Sequence, residues 1–363
     1  MVQLRQWPTF TQNIIPCLPT TNVMFLKTHK TASSTVLNIL FRFSEKHRLT
    51  VALARGSGVH LGYPSLFKAD FVEEFKTIGQ NFSIMCNHLR FNLTEVKKVM
   101  PNDTFYFSIL RNPILLLESS YVYYKKSSPA FRNSRNVNEF LSSPWSYYNL
   151  TAKIYNIYAR NNMWFDFGYD NNAEYDNYYV QSTIKNIEQI FHLILIADYF
   201  DESMILLKNT LCWDLDDVVY FKLNTRSLDS VQTLTPENKE KVKEWCAFDW
   251  ELYKHFNNTF WIKIHKMMSP ASLYQEVKLL QKRQKELMET CLSEETAIDK
   301  SKIKDKKMKP YQSGLASILG YNLKQDLDNV TLKICQRMIM PEIQYTSYLY
   351  NQQFPQKKGK STD

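Results

Sequence analysis

Through the first half of the chain, apolar and polar positions repeat as one unit: a short apolar run, a patch of polar donors, then apolar residues at helical spacing. Val23 to Leu26 reads as a buried strand. Ser33 to His47 reads as the helix behind it, with Val36, Leu37, Leu40 and Phe43 on one face. Phe82 to Leu89 predicts a second strand, whose period-2 pattern sets Phe82, Ile84, Cys86 and His88 on one side. Phe105 to Leu110 predicts a third. Arg111-Asn112-Pro113 follows it, and Pro113 suits the first turn of a helix over about 114–125. "HLILIA" at 192–197 and "DESMILLKNTLCW" after it make a fourth strand and helix. Such alternation predicts an α/β fold with a mostly parallel central sheet flanked by helices.

The second half reads as helical. Thr235-Pro236 and Ser269-Pro270 are N-cap plus Pro-at-N1 signatures for helices over roughly 236–266 and 270–290. The run "DKSKIKDKKMK" at 299–309 predicts a solvated loop, and 311–355, rich in Tyr and apolar residues, is expected to pack back on the domain. No internal repeat or linker is visible. The organisation expected is an N-terminal extension (1–20), one catalytic domain (21–355) and a flexible tail (356–363).

A 44% hydrophobic and 14% aromatic composition with only 8 glycines belongs to a folded globular protein. The net charge of +9 would suit an anionic ligand, nucleic acid or a membrane surface, but six of the lysines fall in the 299–309 loop, so the excess says little about partners. Cys17, Cys86, Cys212, Cys246, Cys291 and Cys335 are scattered, with no C-x-x-C pair and no His/Cys cluster at ligand spacing, so no metal site is expected. Their even number permits up to three disulfides in an oxidising compartment, with the pairing open. Sequons begin at Asn81, Asn92, Asn102, Asn149, Asn257 and Asn329 and lean toward the secretory pathway. No apolar run reaches the roughly 18 residues of a membrane span, and the first 20 residues lack a signal-peptide layout.

Candidate chemistry begins at "FLKTHKTASST", residues 25–35, where a buried strand feeds a helix N-terminus. Free backbone N–H groups and the helix dipole make that junction an anion site. Lys30 adds a point charge, and Thr31, Ser33, Ser34 and Thr35 add hydroxyls. The glycines of a Walker A loop are missing, and so is a strand ending in a magnesium-binding carboxylate. A terminal sulfuryl group carries less charge than a phosphoryl and needs no metal to neutralise it, so the loop points to a phosphosulfate. In "SILRNPILLLESSYVYY", Arg111 ends a strand and Ser119 lies about two helical turns on, where a guanidinium fork and a hydroxyl can grip one phosphate. Together the two motifs describe a ligand with an anion at each end.

"LKTHKTASSTVLNIL" resembles the 5′-phosphosulfate loop, and "SILRNPILLLESS" the 3′-phosphate motif, of sulfotransferases that use 3′-phosphoadenosine-5′-phosphosulfate (PAPS). With "HLGYP", "MCNHLRFNL", "NNMWFDFG", "DESMILLK", "WCAFDW", "YQSG", "ILGYNL" and "CQRMIMPE", the chain is similar to Golgi β-galactose 3-O-sulfotransferases from about residue 21 to 355. The resemblance implies a P-loop-like PAPS-dependent sulfotransferase fold with a helical C-terminal half. It also implies sulfation of the 3-hydroxyl of terminal β-galactose on type 1 and type 2 glycans, with no nucleic acid as partner. Members are type II Golgi membrane proteins; their N-terminal anchor is absent from this chain, which makes 1–20 a stem remnant in that reading.

Residue by residue, the resemblance puts Lys27, Thr28, Lys30, Thr31, Ala32, Ser33, Ser34 and Thr35 around the 5′-phosphosulfate, with Lys30 stabilising the bridging oxygen as it leaves. Arg111 and Ser119 match the 3′-phosphate pair, and Asn224, Arg226 and Ser227 in "FKLNTRS" match a loop that closes over the nucleotide. An attacking sugar hydroxyl needs a base. His88 in "CNHLRFN" resembles the histidine base of related carbohydrate sulfotransferases and is preferred to His29, which lies inside the anion loop. Arg90 is the candidate for steering the acceptor sugar. The competing readings are a galactosylceramide-directed sulfotransferase, a glycan-binding protein that keeps the fold without turnover, and a nucleotide kinase, which the missing glycines disfavour.

Overall fold

A computed structural model describes residues 17–79, 81–150 and 156–357. Positions 1–16 of the expected extension and 358–363 of the expected tail lie outside the described residues. Strands β1 (Val23–Leu26), β2 (Ile84–Met85), β3 (Phe105–Leu110) and β4 (Leu193–Ile196) form one sheet in the order β2-β1-β3-β4, each pair parallel. The two central strands, β1 and β3, align Leu26 with Ser108, so the chain leaves both toward the same edge. Ligand crevices in parallel sheets open beyond the carboxyl ends of the strands. This topology brings the "LKTHKTASST" and "LRNP" motifs side by side although they are far apart in sequence.

The second strand is shorter than its pattern predicts. Beyond Met85 the segment pairs through single bridges, His88 with His60 and Arg90 with Leu66, held by Leu61 N–H to His88 C=O (2.7 Å) and Phe67 N–H to Arg90 C=O (2.8 Å). Its side chains from Ile84 to Leu89 are all buried, on both faces, so the period-2 reading of one inward face does not describe it. A parallel strand covered on both sides has no solvent face to reveal.

Helix α1 (Ser33–His47) follows β1 and is buried around nearly its whole circumference, because the C-terminal segment covers the face that a simple amphipathic reading leaves to solvent. Asn38 Nδ2–H donates to Arg337 C=O (2.8 Å), and the Phe41 and Tyr345 rings meet edge to face at 5.2 Å. After β3 come α2 (Pro113–Tyr124), started by the Asn112 side chain accepting from Ile114 N–H (3.0 Å), and the short α3 (Asn162–Asp166). Then follow α4 (Asn177–Ile190) and α5 (Phe200–Leu211).

The long helix expected over 236–266 is two helices, α6 (Pro236–Trp245) and α7 (Ala247–Met267), broken at Cys246. The break has a tertiary cause: Asn161 Oδ1 accepts the amides of Phe248 (3.1 Å) and Asp249 (3.4 Å), starting α7 from outside. Helices α8 (Pro270–Cys291), α9 (Asn329–Ile339) and α10 (Glu342–Gln353) complete the helical half. The lysine-rich 299–309 forms two 3₁₀ turns that expose most of the lysines and bury Ile303 and Met308.

Two disulfides form, Cys17–Cys212 and Cys291–Cys335, while Cys86 and Cys246 stay reduced and buried. Residues 17–20, read as extension, are stitched to the end of α5: Thr20 N–H donates to Leu211 C=O (2.9 Å) and Trp213 Nε1–H to Thr20 C=O (2.9 Å). Of the sequon asparagines, Asn81, Asn102, Asn149 and Asn329 are exposed, and Asn92 and Asn257 are half-buried, the latter in the middle of α7. Among the described residues no helix is long and apolar enough to cross a membrane.

Candidate active site

Beyond the ends of β1 and β3 lies a cleft of about 920 Å³. Its floor is the loop from Lys27 to Ser34, which reaches α1 through two left-handed residues, Lys30 and Ala32, each with φ of 60°. Such backbone is strained for residues with a side chain and persists where the surroundings over-determine it. Here they do. Thr31 and Ser33 hydroxyls both donate to Thr28 C=O (3.1 and 2.6 Å), and the Thr28 hydroxyl donates to Ile109 C=O. Ala32 is the N-cap of α1 and offers no capping side chain; Thr35 N–H turns back to Ala32 C=O (3.0 Å), and the amides ahead of it are left to a ligand.

The hydroxyl-rich loop therefore divides its work. Thr35 Oγ1 accepts Leu223 N–H (3.2 Å), Ser34 Oγ–H donates to Glu342 Oε2 (2.9 Å), and neither Thr28 nor Thr35 reaches the cleft wall. Ser227 and Arg90 stand behind it as well. Arg90 donates to the carbonyls of Gly168 (3.2 Å) and Tyr169 (3.0 Å), with its guanidinium 4.0 Å from the Phe165 ring centre, so it braces the protein interior rather than facing a sugar.

Positive charge converges on the cleft. Lys30 Nζ lies 3.6 Å from the Tyr123 ring centre, and Arg111 Nη1–H donates to Lys30 C=O (3.0 Å). Ser119 and Asn224 complete that wall. Arg226 is paired in a fork with Glu118 (2.9 Å for one arm), whose carboxylate also takes Gln232 N–H (2.8 Å). Among the described residues no ion pair reaches Lys30 or Arg111; the cluster's pairs are Arg226 with Glu118 and Lys27 with Glu342 (3.1 Å). Burial, followed by the charges of Arg111, Arg226 and Lys27, pushes the Lys30 ammonium down to about 7. A cluster in which Lys30 and Arg111 have no counter-ion of their own among the described residues fits an anionic ligand.

At the other end of the cleft His29 and His88 stack face to face, ring centres 4.0 Å apart and 11° from parallel. Their hydrogen bonds fix the same tautomer in both rings but leave the two lone pairs differently engaged. His88 Nδ1 faces Lys27 C=O (3.0 Å), which can only accept, so that nitrogen carries the proton and Nε2 offers a lone pair. Lys27 Nζ already occupies that lone pair at 2.7 Å. Burial and the Lys27 charge hold His88 well below the usual imidazole range.

His29 Nδ1 faces the Asp166 carboxylate at 3.0 Å to both oxygens, and its backbone N–H donates to Asp166 Oδ2 (2.9 Å). Its proton therefore sits on Nδ1, leaving the Nε2 lone pair without a bonded protein donor among the described residues. Tyr63 O–H donates to Asp166 Oδ1 (2.9 Å), and burial and that carboxylate raise the Tyr63 phenol well above its ordinary value. Gly62, at φ +75°, allows this: a Cβ there would run into the Phe71 ring. Tyr124 and Tyr158, stacked at 3.7 Å, close the cleft beside the histidines, and His60 lies at its rim, 5.6 Å from His88.

Asp166, Tyr63 and Glu342 escaped functional assignment from sequence. The signal was present in "NNMWFDFG" and "HLGYP", where a carboxylate follows Met163-Trp164-Phe165 and a phenol sits between Gly62 and Pro64, but nothing in their spacing names a partner. Among the described residues no group of three or more His, Cys, Asp or Glu side chains is arranged to hold a metal ion.

Known proteins match this sequence over most of its length. The chain is 57% identical over 345 residues to galactose-3-O-sulfotransferase 2 of Mus musculus, covering 94% of this chain and 88% of that protein. It is 58% identical to galactose-3-O-sulfotransferase 2 of Sus scrofa, covering 94% and 87%, and 41% identical to galactosylceramide sulfotransferase of Homo sapiens, covering 91% and 78%. The sequence model of galactose-3-O-sulfotransferase matches residues 3–353. With strands, anion loop and cationic cleft in that order, the chain belongs to the galactose-3-O-sulfotransferase family.

Proposed function

We propose that the chain moves a sulfuryl group from PAPS to the 3-hydroxyl of a terminal β-galactose on type 1 and type 2 glycans, with His29 as the base. When bound, the donor supplies sulfur on a phosphosulfate anhydride whose leaving group is the 5′-phosphate of PAP. Lys30 and the uncapped amides of α1 hold that end and offset charge on the bridging oxygen. Arg111 and Ser119 hold the 3′-phosphate, and Asn224 and Arg226 cover the nucleotide from the facing loop.

One observation carries the reading: the His29 Nδ1 bond to Asp166 leaves Nε2 free to take the hydroxyl proton in the cleft that also holds Lys30. His88, preferred from sequence, has its lone pair on Lys27, so its role is to stack on His29 and steady Lys27. The stacked Tyr124 and Tyr158 rings give a sugar ring an apolar wall. Two disulfides suit the Golgi lumen, where the enzyme would act as a type II membrane protein.

The test is to incubate the protein with radiolabelled PAPS and with type 1, type 2, core 1 and galactosylceramide acceptors. Label on galactose O3 of the glycan chains supports the proposal, and glycan binding without label overturns it. A second expectation concerns pH. An anion favours the charged form of Lys30, which burial and its cationic neighbours hold near 7 in the free protein. Above that pH, PAP binding must take up a proton, and affinity should fall by up to about tenfold per pH unit. Calorimetry in buffers of different ionisation enthalpy reads the proton directly; binding at about pH 8 with no uptake counts against Lys30 as the contact.

A further inference from the structure

Two blocks outside the cleft, "NNMWFDFG" and "WCAFDW", clasp each other reciprocally. Asn161 caps the start of α7, and in return Asp249 of α7 accepts the amides of Met163 (3.2 Å) and Trp164 (2.8 Å) at the start of α3. Neither helix has a side-chain cap of its own. Asn161 itself is left-handed, φ 46°, and its Nδ2–H is fixed on Asn171 C=O (3.0 Å). Asp249 is fully buried and forms no salt bridge with a cation among the described residues, so the backbone amides at the start of α3, those of Trp164 and Met163 foremost, are what offset its charge; burial still pushes the carboxyl up to about 7.

The far end of α3 is Asp166. A five-residue helix has no stability of its own, because its few internal hydrogen bonds do not offset nucleation. Where its last residue points therefore depends on what anchors its first turn. Asp249 is that anchor. Asp166 then presents one carboxylate to three donors, His29 N–H, His29 Nδ1–H and Tyr63 O–H, at 2.9 to 3.0 Å.

We propose that Asp249 is a positioning residue for sulfuryl transfer: through α3 it sets Asp166, and through Asp166 it fixes the tautomer and direction of the His29 ring. The proposal rests on the reading of His29 as the base. Donor binding lies on another path, through Lys30 and Arg111, which Asp249 does not touch. A role confined to general stability would weaken both paths alike.

The experiment uses Asp249→Asn, which keeps the shape but has one accepting oxygen for two amides, together with Asp166→Asn and the double variant. For Asp249→Asn, kcat should fall roughly 10- to 100-fold while PAP affinity stays within about twofold. In the Asp166→Asn background, adding Asp249→Asn should change kcat by less than about twofold, since the path is already cut. Nitrogen-15 NMR of the imidazoles should show the His29 proton leaving Nδ1 in Asp249→Asn. If that variant does not fold, Asp249→Glu keeps the charge and displaces the helix by one methylene, and it is expected to show the same split between kcat and PAP affinity. Equal losses of kcat and PAP affinity, multiplicative losses in the double variant, or an unmoved His29 signal overturn the proposal. Failure of the base assignment is separable: a fully active His29→Ala, with the ring signal still moving in Asp249→Asn, removes the base and leaves the positioning path standing.

Discussion

Lys30→Ala is expected to lower kcat by roughly 10²- to 10³-fold, the range for removing one donor that meets charge developing in a transition state. The fold should hardly notice. Among the described residues Lys30 has no carboxylate partner in an ion pair; it rests on the Tyr123 ring and is crowded by Arg111, Arg226 and Lys27, so removing it relieves repulsion. Steady-state sulfation of a β-galactoside, read beside a thermal melt, checks both halves. A variant that melts like the parent and turns over within about fivefold of it would remove Lys30 from the chemistry. Lys30→Arg should recover only part of the loss, because a planar fork does not put its charge where a terminal ammonium does.

The second large effect separates the two histidines. His29→Ala is expected to cost roughly 10²- to 10⁴-fold in kcat, the usual worth of a positioned base, and to flatten the acid limb of the pH–rate profile. The sign follows from the role: a base works when unprotonated, so the intact enzyme should lose rate as pH falls and the variant should not. His88→Ala should cost less and keep that limb, since the ring holds Lys27 Nζ and remains neutral well below the usual imidazole range. The reverse ranking, with His88→Ala nearly inactive and His29→Ala nearly intact, would restore the preference drawn from sequence.

Much of the frame was legible in the chain. Val23–Leu26 and Phe105–Leu110 appear as strands at the predicted bounds, because continuous apolar runs ended by polar donors leave little freedom of register. Pro113 and Pro270 begin their helices as expected. The anion loop, Arg111 and Ser119 could be placed at one sheet edge because parallel topology leaves no other edge for them.

Long-range hydrogen bonds were not legible. Asn161 breaking the helix at Cys246, Asp166 reaching His29 across 137 positions, and Glu342 reaching Lys27 from the start of α10 depend on packing that no local period encodes. For the same reason the hydroxyls of Thr28, Thr31, Ser33 and Thr35 looked like ligand donors. Residue type gives their capacity to donate, whereas only the fold shows that Thr31 and Ser33 bond to the loop's own Thr28 carbonyl. Arg90 misled in the same way, since an arginine two residues from a histidine need not share its cleft.

The Cys291–Cys335 bridge closes a loop that contains Met308, Pro310, Tyr311, Leu319 and Tyr321, one wall of the cleft. A span of 44 residues pinned at its base loses about 4 kcal/mol of chain entropy in the unfolded state by the loop-closure relation. That wall is also fastened to the facing parts of the cleft, by Leu315 N–H to Val122 C=O (2.9 Å) and Leu319 N–H to Thr225 C=O (2.8 Å). Reduction of that one sulfur–sulfur bond would restore the entropy to the unfolded chain and lower the stability of the domain while leaving the charged residues of the cleft untouched.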